Sequence, residues 1–196
     1  MTSQPTSSNS PTHSVPFELQ SLASAHRYQR WLRDSISPYM GERILELGSG
    51  IGNLSQHLPV RERLILSDID PSLLEVLKSK FPESKKTSLL LLDPSIPLSQ
   101  RFQNENLDTV VSFNVLEHVQ DDSALLKDAI QLLKQSRAPG PKRLVSVVPA
   151  HQWAYGPVDQ QFGHYRRYSD KTYRTCLQKA GANNLDQEHY CSRYIN

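Results

Sequence analysis

Short apolar runs alternate along this chain with segments in which apolar residues recur every three or four positions. The apolar runs predict five strands, at residues 43–47, 63–67, 88–92, 107–113 and 142–148. Strands that are almost entirely apolar are typical of a parallel sheet covered by helices on both faces. The pattern therefore predicts an α/β fold built on a doubly wound, mostly parallel sheet.

Segments with helical periodicity lie before and between these strands. Four helices are predicted, over residues 17–37 and after Asp70, Asp121 and Ser169, which are residue types that favour the N-cap. Their predicted core-facing residues are Leu22, Ala25, Tyr28, Leu32 and Ile36 in the first, Leu73, Leu74, Leu77 and Phe81 in the second, Leu125, Ala129, Leu132 and Leu133 in the third, and Tyr173, Leu177 and Ala180 in the last.

Length and composition predict one domain preceded by a polar tail. The 196 residues are 37% hydrophobic, which suffices for one sizeable core. Residues 1–16 are mostly Ser, Thr, Pro, Gln and Asn, so they predict a disordered tail. The formal charge of +2 and the lack of a basic stripe argue against a nucleic-acid partner.

Cysteine usage and hydropathy bear on the compartment. Cys176 and Cys191 lack the C-x-x-C spacing of zinc and redox sites, so we expect two reduced thiols and no metal. The longest apolar runs are far too short to cross a bilayer, and the first residues lack the apolar core of a secretory signal. The expected protein is soluble and cytoplasmic, without stable membrane insertion.

A glycine-rich segment, Glu46-Leu47-Gly48-Ser49-Gly50-Ile51-Gly52-Asn53, lies where the first strand is predicted to turn into a helix. Glycines let a ligand lie directly against the backbone and permit positive φ values. A tight turn without a ligand would also account for them. The G-x-G-x-G spacing differs from the dinucleotide pattern G-x-G-x-x-G, and no G-K-[ST] follows to hold a triphosphate.

Polar residues end the next three predicted strands. Asp68 ends the second, twenty residues after Gly48, while Asp93 follows the third and Asn114 the fourth. The carboxyl ends of parallel strands converge on one crevice, where a carboxylate such as Asp68 can accept both ribose hydroxyls. Glu46 can oppose a positive charge. These features favour a cofactor that carries an amino acid and a sulfonium over NAD.

Together these motifs resemble those of class I S-adenosylmethionine-dependent methyltransferases. The matching segments are E-L-G-S-G-I-G-N at 46–53, L-S-D-I-D-P at 66–71, L-D at 92–93 and L-D-T-V-V-S-F-N-V-L-E-H-V-Q-D-D at 107–122. The resemblance runs from about Tyr28 to the end of the chain. It implies a Rossmann-like fold, a methyl-transfer activity and S-adenosyl-L-methionine as the cofactor.

The resemblance also implies individual roles around the cofactor. The residues concerned are Glu46 at its amino group, Gly48, Ser49, Gly50 and Gly52 along the methionine part, Asn53 in the same loop, Asp68 at the ribose hydroxyls, Ile69 at the adenine face, Asp93 near the adenine amino group and Asn114 beside the methionyl end. Two alternatives stay open, since Asp93 could equally cap a helix and Ile69 could belong to the core.

A long polar and aromatic segment, residues 149–168, follows the fifth strand and is the expected acceptor site. Its P-A-H…G…D…G-H-x-R-R-Y pattern resembles a bacterial subgroup of type 11/12-like methyltransferases, often met beside enzymes of glycan assembly. The predicted bases are His151 and His164, and the predicted acceptor-binding residues are Tyr155, Asp159, Arg166 and Arg167. Alternatively, Arg166, Arg167 and Tyr168 brace the loop against the following helix.

Two further features allow more than one interpretation. Glu117 and His118 could be a metal pair or a base, but the L-E-H turn recurs in similar methyltransferases with very different substrates, which favours a structural role. The first helix, with His26, Tyr28 and Trp31, could close over the cofactor or simply pack on the core.

The expected function is transfer of a methyl group from S-adenosylmethionine to an oxygen or nitrogen of a small or a lipid- or glycan-linked acceptor. Two alternatives stay open. One is a non-catalytic module of the same fold that binds the cofactor. The other is a nicotinamide-dependent oxidoreductase, which the glycine spacing disfavours.

The resemblance sets the expected domain boundaries. The methyltransferase domain should span residues 17–196, with an N-terminal helix at 17–37, a cofactor-binding core at 43–148, an acceptor loop at 149–168 and a C-terminal helix and strand at 169–196. Class I methyltransferases end in an antiparallel hairpin, whereas this chain stops just after its predicted sixth strand. We therefore expect the final strand to be missing, as in a shortened form of a longer parent, with an open sheet edge that permits self-association.

Overall fold

The computed structural model of the protein describes residues 16–182 and contains one five-stranded sheet. The strands are β1 Arg43–Leu47, β2 Arg63–Asp68, β3 Thr87–Leu91, β4 Thr109–Phe113 and β5 Arg143–Val147. They lie in the order β3-β2-β1-β4-β5, and every neighbouring pair is parallel. The predicted Rossmann-like α/β fold is confirmed, with strand bounds within two residues of the prediction.

Helices cover both faces of this sheet. They are α1 Phe17–Ser24, α2 His26–Ile36, α3 Pro71–Lys80, α4 Leu98–Arg101, α5 Asp122–Gln135, α6 Pro157–Gln161 and α7 Asp170–Lys179. Apolar residues of α2 and α3 pack on one face of β1, beside Ile44, while residues of α4 and α5 pack on the other face, beside Leu45 and Leu47. Alternation of side chains along a buried strand thus builds two core layers.

Capping residues account for where three helices begin. The side chains of Asp70, Asp121 and Ser169 each accept a hydrogen bond from a backbone N–H of the first helical turn, as predicted. Pro71 occupies the first position of α3, where no N–H is needed. The core face of α5 differs slightly from the prediction, because Leu126 is buried there and Leu125 is only half-buried.

The predicted first helix over residues 17–37 is in fact two helices. The backbone breaks at Ala25, whose φ of −83° and ψ of 53° are not helical. Beyond the break, the buried side chain of Gln29 donates to the carbonyl of Leu22 at 2.6 Å. The same carbonyl also accepts from Ala25 N at 3.2 Å, so the Gln29 bond is a second attachment at the end of α1. A change of helix direction that relies on such a tertiary contact leaves no trace in the apolar periodicity.

The segment after β1 also departs from the prediction. The glycine-rich loop leads into a single 3₁₀ turn, Ser55–His57, where an α-helix was expected. Gly48, Gly50 and Gly52 all have positive φ, and Pro59 follows soon afterwards. These residues leave too few helix-compatible positions before β2 for more than one turn.

The strand order places a crevice at the carboxyl ends of β1 and β4. The chain runs from β1 to β2 and β3 on one side, and then crosses to β4 and β5 on the other. In open α/β sheets this reversal point is where ligands bind.

Among residues 16–182, β5 forms one edge of the sheet. The predicted N-terminal tail, the sixth strand and Cys191 lie outside the described residues, so the expectations about them stay predictions. No helix in the described range is long and apolar enough to cross a membrane.

Candidate functional site

A cavity of about 960 Å³ opens at the carboxyl ends of β1, β2 and β4. Its walls come from α1, from the glycine-rich loop and from the segments that follow β2, β3 and β4. Nine of the predicted cofactor-binding residues line it, namely Glu46, Gly48, Ser49, Gly50, Asn53, Asp68, Ile69, Asp93 and Asn114. The fold therefore brings together residues that lie far apart in the sequence.

The glycine-rich loop is held against the end of β2 by its own backbone. Ser49 N donates to the carbonyl of Ser67 at 2.8 Å, and Gly50 N donates to the Asp68 carboxylate at 2.8 Å. A Cβ on Gly48 would lie 2.5 Å from Val115, and one on Gly50 would lie 3.2 Å from Leu19. With φ values of +66° and +55°, both positions favour glycine.

Gly52 packs against α3, and its predicted contact with the cofactor stays a prediction. It does not line the cavity, and a Cβ there would lie 2.5 Å from the ring of Phe81 and 2.9 Å from Leu77. Its φ of +79° and the close approach of α3 both require glycine. Gly52 therefore serves the packing of the loop on α3.

Glu46 is a buried carboxyl at the base of the loop. It is 1% exposed, and Ser49 Oγ donates to its Oε2 at 2.8 Å. Burial raises the pKa of Glu46 to about 7, even though the Ser49 hydrogen bond acts in the opposite direction. A cationic group in the cavity would recover the free energy that is lost when this carboxylate is charged without a partner.

Asp68 and Ile69 end β2 beside the loop. Asp68 is buried, and its two carboxylate oxygens accept from Gly50 N at 2.8 Å and from Asp70 N at 3.0 Å. A carboxylate oxygen has room for a further donor, so these bonds position Asp68 without saturating it. Ile69 is 65% exposed on the cavity wall, which excludes the alternative that it belongs to the core.

Asp93 and Asn114 complete the rim of the cavity. Asp93 accepts from both the backbone N–H and the hydroxyl of Ser95, in a turn that precedes α4 without capping it. Asn114 has a φ of +52°, and its N–H donates to the carbonyl of Val147 on β5. Left-handed backbone at a non-glycine residue is uncommon and frequently accompanies a binding site.

Helix α1 forms one wall of the cavity. The residues named from the sequence for this position, His26, Tyr28 and Trp31, lie on α2. The lining side chains are Glu18, Leu19 and Leu22, and Asn53 Nδ2 donates to the carbonyl of Leu19 at 2.6 Å. Of the two interpretations offered for Tyr28 and Trp31, packing on the core from α2 is the one observed. The break at Ala25, invisible in the sequence pattern, is what directs α1 over the loop.

The comparisons with known proteins agree with this geometry. A family model that describes a methyltransferase domain matches residues 21–187. The chain belongs to this methyltransferase family. A search of curated protein sequences gave no match.

Several solved structures share the fold of this methyltransferase domain. They include the methyltransferase domain of bacterial CtHen1 (TM-score 0.56, 19% identity, 79% of this chain and 82% of that one), an S-adenosylmethionine-dependent methyltransferase from Mesorhizobium loti (0.51, 18%, 72% and 74%) and the trans-methyltransferase CalH in complex with SAH (0.53, 22%, 72% and 44%). The chain thus spans less than half of CalH.

The predicted acceptor loop of this methyltransferase domain is organised around Asp159. This residue is 1% exposed and accepts from Arg167 Nε at 2.7 Å, from His164 Nδ1 at 2.9 Å and from Gly156 N at 2.9 Å. Burial alone would raise the pKa of Asp159, but these bonds outweigh it and lower the pKa to about 2. Asp159 and Arg167 therefore brace the loop internally, and an acceptor contact by either stays a prediction.

Arg166 and Tyr168 tie the loop to α5. Both contact Asp122, Arg166 through Nη1 and Tyr168 through its hydroxyl, each at 2.7 Å. Tyr168 is 2% exposed and packs against Leu177 of α7. The bracing alternative weighed from the sequence named the following helix, α7, and only Tyr168 packs there. Arg166 instead contacts α5, and Arg167 braces the loop internally.

The two predicted bases differ in position. His151 lies outside the residues that line the cavity, with its backbone N–H bonded to the carbonyl of Tyr168. His164 is almost fully buried behind Glu18 and His118, both of which do line the cavity. Tyr155, a predicted acceptor-binding residue, donates its hydroxyl to the carbonyl of His164. Roles for these three in catalysis or acceptor binding stay predictions.

Glu18 and Leu19 are site residues that the sequence did not reveal, because they lie in a short helix with weak amphipathicity.

Glu117 was singled out from the sequence, and its environment is unusual. It is 1% exposed, and neither carboxylate oxygen has a hydrogen-bond partner in residues 16–182. Burial, with smaller contributions from the nearby Glu18 and Asp159, raises the pKa of Glu117 to about 8.

A substitution at Tyr168 tests the bracing interpretation. We expect Tyr168→Phe to lower the free energy of unfolding by about 1–2 kcal/mol, because it removes a hydrogen bond to a charged, half-buried partner. Urea unfolding measures this change. Tyr165→Phe is the control, since Tyr165 is 54% exposed and should change stability by less than about 0.5 kcal/mol. Equal effects of the two substitutions would contradict the bracing role.

Proposed function

We propose that this methyltransferase domain binds S-adenosylmethionine in the cavity at the end of β1 and transfers its methyl group to an oxygen or nitrogen of an acceptor. The observation that carries the proposal is that a glycine cradle, a buried Glu46 carboxyl and Asp68 share one cavity at the reversal point of the sheet. A module that binds the cofactor without catalysis would need the same cavity, so methyl transfer itself has to be measured.

The residues fit the chemistry of that cofactor. When bound, S-adenosylmethionine supplies an electrophilic methyl group on a positively charged sulfur. Glu46 would oppose the ammonium of its amino-acid part, and Asp68 would accept hydrogen bonds from its ribose hydroxyls. The cradle at Gly48 and Gly50, where a Cβ would meet neighbouring side chains, would let it lie against the backbone.

The same geometry argues against a nicotinamide dinucleotide. Dinucleotide-binding folds place the pyrophosphate at the N-terminus of the helix that follows the glycine loop. Here the loop continues into the 3₁₀ turn Ser55–His57, which is too short to provide a helix dipole. A hydride-transfer function is therefore not supported.

The loop between β5 and α7 is the proposed acceptor side. Its long connection presents three large apolar side chains to solvent, Trp153, Val158 and Tyr165, which are 73%, 58% and 54% exposed. Such a surface suits an acceptor with an apolar part, as a lipid-linked molecule has. Catalysis of an in-line methyl displacement consists mostly of alignment, so the braced loop would serve to hold the acceptor in place. A cytoplasmic location and self-association through the β5 edge stay predictions.

Calorimetry with S-adenosylmethionine, S-adenosylhomocysteine and NAD tests the cofactor assignment. We expect the first two to bind and NAD not to bind. Asp68→Ala should weaken cofactor binding by about 1.5–3 kcal/mol, because it removes charge-assisted hydrogen bonds. Transfer of a labelled methyl group to candidate acceptors then distinguishes an enzyme from a binding module.

Asp68→Asn is the matched control, since Asp68 also holds the loop through Gly50 N. The amide keeps one oxygen that can accept this N–H, but it loses the charge and the acceptor for Asp70 N. Asp68→Asn should therefore disturb the loop less than Asp68→Ala and still lose part of the affinity. Unchanged cofactor affinity in a folded Asp68→Ala variant would refute the assignment.

A further inference from the structure

Three metal-ligand side chains converge beside the cavity. They are Glu18 on α1, His118 in the turn after β4 and His164 in the acceptor loop, and their ligand atoms all lie within 4.8 Å of one another. Glu18 Oε1 lies 3.6 Å from His164 Nε2, and Glu18 Oε2 lies 3.9 Å from His118 Nε2. These separations exceed hydrogen-bond distances, so the three groups face one another without direct hydrogen bonds.

His164 is oriented for coordination. Its Nδ1 lies 2.9 Å from Asp159 Oδ1, and Asp159 also accepts from Arg167 Nε and from Gly156 N. In the neutral tautomer that donates from Nδ1 to this carboxylate, Nε2 carries the lone pair. The His164 side chain is only 7% exposed, and Nε2 has no hydrogen-bond partner in the described part of the chain. A carboxylate that fixes one imidazole nitrogen while the other is left open is the usual arrangement behind a metal-bound histidine.

The surrounding charges also favour a cation. Two buried carboxyl groups lie beside the ligands, since Glu117 directly precedes His118 in the chain and Asp159 lies 2.9 Å from His164 Nδ1. Arg167 is already engaged by Asp159. An excess of buried acidic groups over basic ones is costly unless a cation or protons compensate it.

We propose that Glu18, His118 and His164 bind a divalent transition-metal ion of the zinc class. Two imidazoles and one carboxylate are a common protein ligand set for catalytic zinc, which keeps a further position open. In a tetrahedral site with bonds of about 2.0–2.1 Å, the ligand atoms lie about 3.3 Å apart, so the three groups need to close by at most about 1.5 Å. His118 and Glu18 are partly exposed and can rotate toward the buried His164.

Binding of an ion by these ligands would have two effects. It would link α1 to the acceptor loop, two segments that are far apart in sequence. The open coordination position would face the cavity, because Glu18 and His118 line it while His164 lies behind them. An acceptor oxygen bound there would lose its proton more readily. That step rests on the proposed methyl transfer, whereas metal binding itself does not. This proposal opposes the expectation of no metal, which rested on cysteine spacing and on a structural role for the L-E-H turn.

Titration of the chelator-treated full chain with Zn²⁺ tests the proposal without any cofactor or acceptor. We expect one ion per chain, an affinity in the micromolar range or tighter, and a higher melting temperature with Zn²⁺ present. His118→Ala and His164→Ala should each weaken binding at least tenfold. Glu18→Gln, which keeps the size of the side chain and the fold of α1, should do the same.

Two further variants separate a designed site from general effects. Asp159→Asn should weaken Zn²⁺ binding about 10- to 100-fold through the orientation of His164. His26→Ala, at an exposed histidine on α2, should leave binding unchanged. Zn²⁺ held elsewhere, for instance on a thiol, would survive the three ligand substitutions, and that result would overturn the proposal. So would a wild-type chain that binds no Zn²⁺ while it still binds S-adenosylmethionine, an outcome that leaves the proposed function intact.

Discussion

Gly50→Val is expected to lower the affinity for S-adenosylmethionine by at least about 100-fold, which corresponds to about 3 kcal/mol. A valine at this position is strained by the φ of +55°, which disfavours β-branched residues. Its side chain would also lie against Leu19, in the space between the loop and α1. Because both walls belong to the cofactor cavity, the side chain would displace α1 or fill the cradle. Calorimetry measures the affinity, and circular dichroism establishes that the variant is folded.

Gly140→Val is the control for backbone strain. Gly140 has a φ of +79°, but no atom lies within 4 Å of the position that a Cβ would occupy, and the residue does not line the cavity. Both variants therefore carry the strain of a valine at positive φ, but only in Gly50→Val does the side chain intrude on the site. If the two variants bound the cofactor equally well, the loop would not be its cradle.

Glu46→Gln is expected to remove a pH dependence that runs in opposite directions for folding and for cofactor binding. Burial raises the pKa of Glu46 from 4.5 to about 7. Between pH 4.5 and about 7, the folded chain therefore holds a proton that the unfolded chain has released. The stabilisation is complete below pH 4.5 and is lost as the pH rises to about 7, a difference of about 3 kcal/mol.

Cofactor affinity should respond in the opposite sense. Only the ionised carboxylate can pair with an ammonium group, so affinity should rise about tenfold between pH 6 and pH 7.5. Urea unfolding and calorimetry across pH 5 to 8 measure the two trends. Glu117, with a pKa raised to about 8, adds a change of the same sign to folding in the wild type. The difference between the wild type and Glu46→Gln isolates Glu46, and a flat difference would contradict this prediction.

Most of the fold was predictable because it depends on local sequence signals. Apolar runs marked the five strands within two residues, and Asp70, Asp121 and Ser169 marked helix starts because their side chains bond the first turn of the same helix. The break at Ala25 was missed, since the bond from Gln29 to Leu22 that accompanies it involves no characteristic residue type. Tertiary contacts of this kind override local propensity.

The cofactor side of the site was easier to predict than the acceptor side. Parallel strands must present their carboxyl ends at one edge, so Glu46, Asp68 and Asn114 could be placed together from strand order alone. The acceptor loop has no such constraint. Whether Asp159 faces an acceptor or braces Arg167 depends on a loop conformation that spacing does not encode. Glu18 could not be foreseen, because only the docking of α1 brings it near His118.

The way α1 covers the loop also bears on turnover. Its described attachments to the loop and to α2 include the bond from Asn53 to Leu19 and the bond from Gln29 to Leu22, with a non-helical residue, Ala25, as the joint. Because α1 lies outside the sheet, it can open locally without unfolding the strands. Under the proposed function, the spent cofactor would lie against α1, and in many enzymes the release of product limits kcat. We therefore expect that changes at Leu19 or Ala25, remote from any transferred atom, alter how fast the enzyme cycles.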